Sequence, residues 1–185
     1  MDIILKEGVR ILRPDEYKLI EESLDNINKI KFNTSLLTGM RYIELRRFQD
    51  NPNWFDSKRG FIHLPVTAVK KHKRKQKDRW VRLNTLGRTY IDFFISDKEN
   101  LFPTRATWNE NLKRWAKKVD LDVTGICPKT TRKTWESWLT FLYPEKLMQI
   151  TLSQGHTTMT SLGHYQQMPF IDEDKPLMEE YTRGW

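Results

Sequence analysis

Pro128-Lys129-Thr130-Thr131-Arg132 opens a stretch that continues through Lys133-Thr134-Trp135-Glu136-Ser137-Trp138-Leu139 to Leu142. Trp135, Trp138, Leu139 and Leu142 recur at helical spacing, and proline suits the first position of a helix. The spacing therefore predicts a helix starting at Pro128, with those four side chains as its buried stripe. Lys129 and Arg132 fall in its first turn, three residues apart and on one face. Unpaired backbone N–H groups and the helix dipole favour an anion at the same place. Alone, such a pair more often describes a solvent-facing basic turn.

Other chemistry-bearing residues stand on either side. Downstream come Gly155-His156 and then Tyr165. Upstream, Arg41 follows a Thr-Gly in Thr38-Gly39-Met40-Arg41-Tyr42-Ile43-Glu44-Leu45, an apolar helical pattern. An arginine in such a setting needs a partner, and Glu44, three residues on, can supply it. A structural Arg41–Glu44 pair accounts for both residues by itself. A lone His156 or Tyr165 likewise reads most simply as structural. Together they make a kit for attacking a phosphodiester. Arginines grip phosphate through paired N–H groups. A tyrosine can attack phosphorus once nearby cations depress its pKa from about 10.

The chain has 185 residues, enough for one domain with a sizeable core, to which seven Trp, nine Phe and six Tyr can contribute. No apolar run approaches the roughly 20 residues of a membrane span. The opening residues do not read as a signal peptide. Cys127 is the single cysteine, so no intrachain disulfide or cysteine metal cage is expected, and a reducing, cytoplasmic setting is the default. The net charge is +8 and unevenly spread. Lys70, Lys71, Lys73, Arg74, Lys75, Lys77, Arg79 and Arg82 face only Asp78 within one short run. A concentrated basic patch is the footprint of a polyanion partner, although a solvated loop fits the charge equally well.

Several elements are legible around these residues. Arg13-Pro14-Asp15-Glu16 reads as a helix start, followed by Tyr17, Ile20, Leu24 and Ile27 at helical spacing. A second helix is expected to open near Asn33-Thr34 and to run through Arg41. Short strands are expected at Trp54-Phe55, Phe61–Leu64 and Arg79–Leu83, with the basic run as a long hairpin arm between the last two. That arm, from Lys70 to Lys77, should be mobile in the free chain, since like charges repel and no apolar anchor lies within it. Helices follow through Tyr90, Phe93 and Phe94, and through Trp108, Leu112 and Trp115.

The ordered set Thr-Gly-x-Arg, basic β-hairpin, Lys-x-x-Arg, Gly-His and a tyrosine nine residues later resembles the tyrosine recombinases, the lambda-integrase family. The likeness runs from about residue 12 to 168. It is greatest to integrases of archaeal viruses and plasmids, which can carry lysine where Lys129 stands. The resemblance implies a mainly α fold with a small three-stranded antiparallel β-sheet. It implies site-specific DNA recombination, or integration, on double-stranded DNA by a homo-tetramer, with no cofactor and no metal. Arg41 and Arg132 would clamp the scissile phosphate, braced by Glu44. His156 and Lys129 would assist proton movement. Tyr165 would be the nucleophile that forms a 3′-phosphotyrosyl link.

A hairpin lysine would act as general acid: Lys75 is preferred, with Lys73 and Lys71 as alternatives, because Arg74 occupies the usual lysine position. Lys70, Lys71, Lys73, Arg74, Lys77 and Arg79 would contact DNA. One departure is Gln154, which replaces the usual leucine before Gly-His. About 40 residues precede Arg41, too few for the core-binding domain that relatives carry. Weak, salt-sensitive DNA binding is therefore expected of this chain. Residues 1–168 are expected to form the catalytic domain. Residues 169–185 would be a tail, folded back on the free protein or exchanged between protomers on DNA. A type IB topoisomerase-like strand cutter and a non-catalytic DNA-binding module of the same fold are the alternatives.

Overall fold

The computed structural model describes residues 3–68, 78–155 and 169–185. Helices dominate, and two small antiparallel sheets lie beside them. The three-stranded sheet has the order β3 (Phe55–Asp56), β4 (Phe61–Leu64) and β5 (Arg79–Arg82). Ile62 pairs with Val81 and Leu64 with Arg79, so these four face inward while His63 and Trp80 face out. A two-stranded hairpin, β1 (Ile4–Lys6) with β2 (Val9–Ile11), precedes it and was not expected.

The first helical region divides differently from its sequence pattern. Helix α1 covers Pro14–Glu22 and α2 covers Asn26–Thr38. Asp25 caps α2 by accepting the Asn28 N–H at 2.8 Å, which starts that helix well before Asn33. Ile27, expected in the buried stripe, is consequently exposed. Gly39, at φ +56°, ends α2 in the left-handed conformation that favours glycine. Helix α3 (Tyr42–Asp50) then begins with Arg41 as its N-terminal cap residue, so Arg41 lies at a break between helices rather than within one. Helices α4 (Thr85–Ser96) and α5 (Arg105–Lys118) follow the expected aromatic patterns.

Helix α6 (Thr130–Leu142) lies at the centre. It starts two residues after Pro128, because Cys127 to Lys129 close a turn in which the Cys127 N–H donates to Thr130 Oγ1 at 3.0 Å. Trp135, Trp138 and Leu139 are fully buried. Thr131 meets Ser35 of α2 at 2.7 Å, Thr134 accepts the Leu12 N–H at 3.0 Å, and Trp138 donates to the Leu12 carbonyl at 3.1 Å. These polar ties fix the register of an otherwise apolar seam. Tyr17 stacks on Phe32 and meets Trp138 and Tyr181 edge-on, extending the aromatic core between helices.

Helix α7 (Leu147–Gln154) leads toward the site, and α8 (Lys175–Thr182) packs back on the chain's own core. The Tyr181 hydroxyl donates to Glu21 Oε2 at 2.7 Å, and Asn84 donates to the Tyr181 carbonyl at 2.6 Å. Burial, and then the Glu21 carboxylate, push the Tyr181 hydroxyl well above its ordinary pKa, so it stays a donor. Tyr181→Phe leaves Glu21 with one donor fewer in a buried setting. It is expected to cost about 1–3 kcal/mol, measured by urea unfolding, with the far-ultraviolet spectrum unchanged.

Candidate active site

Four backbone features converge on one cluster of charge: the C-terminal ends of α2 and α7, the N-terminus of α3, and strand β5. The break after Gly39 places Arg41 in extended backbone just before α3. Glu44, in the first turn of α3, reaches back to accept the Arg41 backbone N–H at 2.7 Å. This is the reciprocal half of a helix cap, and the helix dipole favours an acid there. The same carboxylate accepts from the Arg41 guanidinium at 2.8 Å and from Arg79 Nη2 at 2.7 Å. Glu44 is fully buried, so its charge is tied on three sides.

Arg132 enters from α6, one turn beyond Lys129. Its Nη1 donates to the Gly39 carbonyl at 2.7 Å, and its Nη2 donates to the Gln154 carbonyl. Arg79 Nη1 donates to the same Gln154 carbonyl at 3.0 Å. The last carbonyls of a helix carry partial negative charge and lack intrahelical partners. Two helix ends thus compensate a guanidinium that is only 6% exposed. Gly155, at φ +67°, closes α7 beside Arg79; a Cβ there would lie 2.7 Å from Arg79 Cδ.

Gly39 is constrained twice, by its positive φ and by the Gln154 side chain, whose Nε2 would lie 2.5 Å from an added Cβ. Gly39→Ala is expected to cost about 1–2 kcal/mol in urea unfolding. It should also slow any reaction that depends on Arg41 and Arg132, since residue 39 joins both.

The electrostatics follow from the packing. Burial opposes ionisation of Glu44, but Arg79, Arg132 and Arg41 outweigh it and hold the carboxyl below its ordinary range. Burial, then repulsion from Arg41 and Arg79, pushes Arg132 down to about 9, which leaves it protonated at neutral pH. The Arg41, Arg79 and Arg132 guanidinium groups all act on Glu44, and Glu136 adds a favourable influence on Arg79 and Arg132. Arg41 keeps 36% of its side chain exposed, so the cationic cluster opens to solvent at that residue. Such an arrangement favours a bound anion with oxygens to share between Arg41 and Arg132.

Of the residues singled out in the sequence, the fold brings together Arg41, Glu44 and Arg132, and sets Lys129 exposed one helical turn before Arg132. Arg79 requires a correction. Expected in a strand but among the DNA-contacting residues, it is 9% exposed and bound to Glu44 and Gln154, because the β5 alternation that buries Val81 also turns Arg79 inward. The basic residues Lys70, Lys71, Lys73, Arg74, Lys75 and Lys77, and with them the expected mobility of the arm, lie outside the described residues, as do His156 and Tyr165. The carbonyls of Gly39 and Gln154 went unnoticed in the sequence, although glycine after each helix pattern was the available signal. Among the described residues no group of three His, Cys, Asp or Glu side chains could hold a metal ion. No described helix is long and apolar enough to cross a membrane.

No known family model and no curated protein matches the sequence. Solved structures do match the fold. The crystal structure of XerA recombinase superposes with a TM-score of 0.67 at 16% identity, covering 97% of this chain and 65% of that one. A Tn1549 transposon integrase in complex with circular intermediate DNA gives 0.66 at 18% identity, covering 97% of this chain and 69% of that one. The same integrase with transposon right end DNA gives 0.67 at 16% identity, covering 98% and 68%. The chain therefore spans about two thirds of the length of these structures and shares their recombinase and integrase catalytic-domain fold.

Proposed function

We propose that this chain is the catalytic part of a site-specific DNA recombinase, of the integrase kind, that breaks and rejoins strands through a covalent tyrosine link. The observation that carries this reading is the convergence of Arg41 and Arg132 from distant parts of the sequence. They meet around one buried carboxylate and two helix ends, in the fold that the recombinase structures share.

Arg41 and Arg132 hold the two non-bridging oxygens of the scissile phosphate and neutralise the charge that grows on them during attack. Tyr165 Oη attacks phosphorus, and the bond from phosphorus to the 5′ oxygen breaks. A hairpin lysine, Lys75 with Lys73 and Lys71 as alternatives, protonates the departing 5′ oxygen. Lys129 and His156 hydrogen-bond the phosphate and assist proton movement there, and the neutral His156 imidazole is the group able to accept the phenolic proton. The product is a 3′-phosphotyrosyl link and a 5′-hydroxyl. Attack by a 5′-hydroxyl reverses the step and conserves the phosphodiester, so no nucleotide energy source is needed. Glu44 and Arg79 keep the two clamping arginines in place.

The substrate in this reading is double-stranded DNA carrying an attachment site, held by a homo-tetramer inside the host cell, and the setting is a mobile element such as an archaeal virus or plasmid. The Lys70–Lys77 arm supplies phosphate contacts. A library of nicked duplexes tests the reading, because a cut near the nick releases a short strand and traps the covalent state. The full chain is expected to yield DNA adducts that survive denaturation, and Tyr165→Phe to yield none. Adducts that persist in Tyr165→Phe would refute the nucleophile.

A further inference from the structure

Gln154 presents a buried polar group that the reading above does not use. Its residue is 0% exposed, and among the described residues neither Oε1 nor Nε2 of its carboxamide has a hydrogen-bond partner. The carboxamide lies against Gly39. Both neighbouring carbonyls, those of Gly39 and of Gln154 itself, accept from the Arg132 guanidinium. A leucine would fill nearly the same volume without burying an unpaired amide, so glutamine lowers the stability of this state. Costs of this kind concentrate where a second state uses the group.

That second state follows from Arg132. A guanidinium grips an anion best through two parallel N–H bonds. In the present structure one N–H of each terminal nitrogen is committed to a backbone carbonyl. Turning the guanidinium toward an anion at the Arg41 side draws it off the Gly39 carbonyl. The carboxamide beside Gly39 is placed to answer that rotation: Oε1 accepts the displaced Arg132 N–H, and Nε2 donates to the vacated carbonyl.

We infer that Gln154 is a positioning residue of the anion site, whose carboxamide becomes paired only when Arg132 turns to hold a phosphate. The inference rests on reading Arg41 and Arg132 as a phosphate clamp. It fits a buried carboxamide that finds no hydrogen-bond partner among the described residues, and it assigns the glutamine a purpose that leucine could not serve.

The test uses the full chain and two measurements that move in opposite directions. Gln154→Leu is expected to melt at a higher temperature than wild type without ligand. It should nevertheless bind inorganic phosphate about 10-fold more weakly, read from the phosphate-dependent rise in melting temperature. On nicked duplex DNA its single-turnover rate of adduct formation should fall at least 10-fold. Gln154→Asn, which keeps the amide on a shorter arm, should restore part of the rate. Unchanged phosphate affinity and rate in Gln154→Leu would overturn the inference, as would a loss of rate accompanied by a lower melting temperature. Failure of the wild type to form any adduct would instead sink the clamp reading, while phosphate affinity reports on Gln154 separately.

Discussion

The Glu44→Gln variant is expected to lose about 3–5 kcal/mol of folding stability, the usual cost of breaking a buried ion pair from one side. Glu44 accepts three hydrogen bonds from Arg41 and Arg79, and Arg79, Arg132 and Arg41 together favour its ionised form. A glutamine keeps one oxygen and turns an NH2 group toward an arginine N–H, so a bond becomes a repulsion. Arg79 and Arg132 then remain buried with their charge poorly compensated. Urea unfolding at neutral pH measures the loss. The pH dependence supplies a second signature. The folded pKa of Glu44 lies below its unfolded value of about 4.3. Its contribution is therefore complete above that unfolded value and is lost as pH falls through the lower folded one. Wild type should weaken across this acid window, and Glu44→Gln should show a flatter curve there.

The second large effect is catalytic. Arg132→Ala is expected to slow adduct formation by about 10³-fold, the scale seen when a charged donor to a reacting phosphate or oxyanion is removed. Arg132→Lys should recover little of this. A lysine ammonium keeps the charge but cannot span the Gly39 and Gln154 carbonyls with a planar fork. Single-turnover cleavage of nicked duplex measures both variants. Melting curves separate the catalytic loss from misfolding, because Arg79 still donates to the Gln154 carbonyl in either variant.

The sequence made some of this architecture legible and hid other parts for identifiable reasons. Strands Phe61–Leu64 and Arg79–Arg82 stood out as short runs rich in aromatic and branched residues, the first set off by the turn before Gly60, and the α6 stripe stood out because tryptophans at helical spacing have few alternative readings. The α1–α2 break was hidden because Leu24 and Ile27 continue the helical period across it. The cap made by Asp25, a local hydrogen bond, outweighed that pattern. The β1–β2 hairpin was missed because each strand has three residues and its turn places Glu7 at φ +49°, an unusual residue for that conformation.

The site was legible as a set of residue types, and Arg41 with Glu44 could be paired by spacing alone. The place of Arg79 could not be read from its charge, since eight basic residues crowd one run. Only the inward phase shared with Val81 distinguishes it, and that phase requires the strand register. The backbone carbonyls that hold Arg132 carry no sequence signal beyond the glycines that end α2 and α7.

The central claim is that the arginine cluster serves Tyr165 as the nucleophile. The most direct measurement is to isolate the denaturation-resistant DNA adduct, digest protein and DNA, and locate the nucleotide by mass spectrometry. The expected result is a 3′-linked nucleotide on the peptide that contains Tyr165, with none recovered from Arg132→Ala on the same timescale. A nucleotide on any other residue, or a link through a 5′ phosphate, would contradict the account.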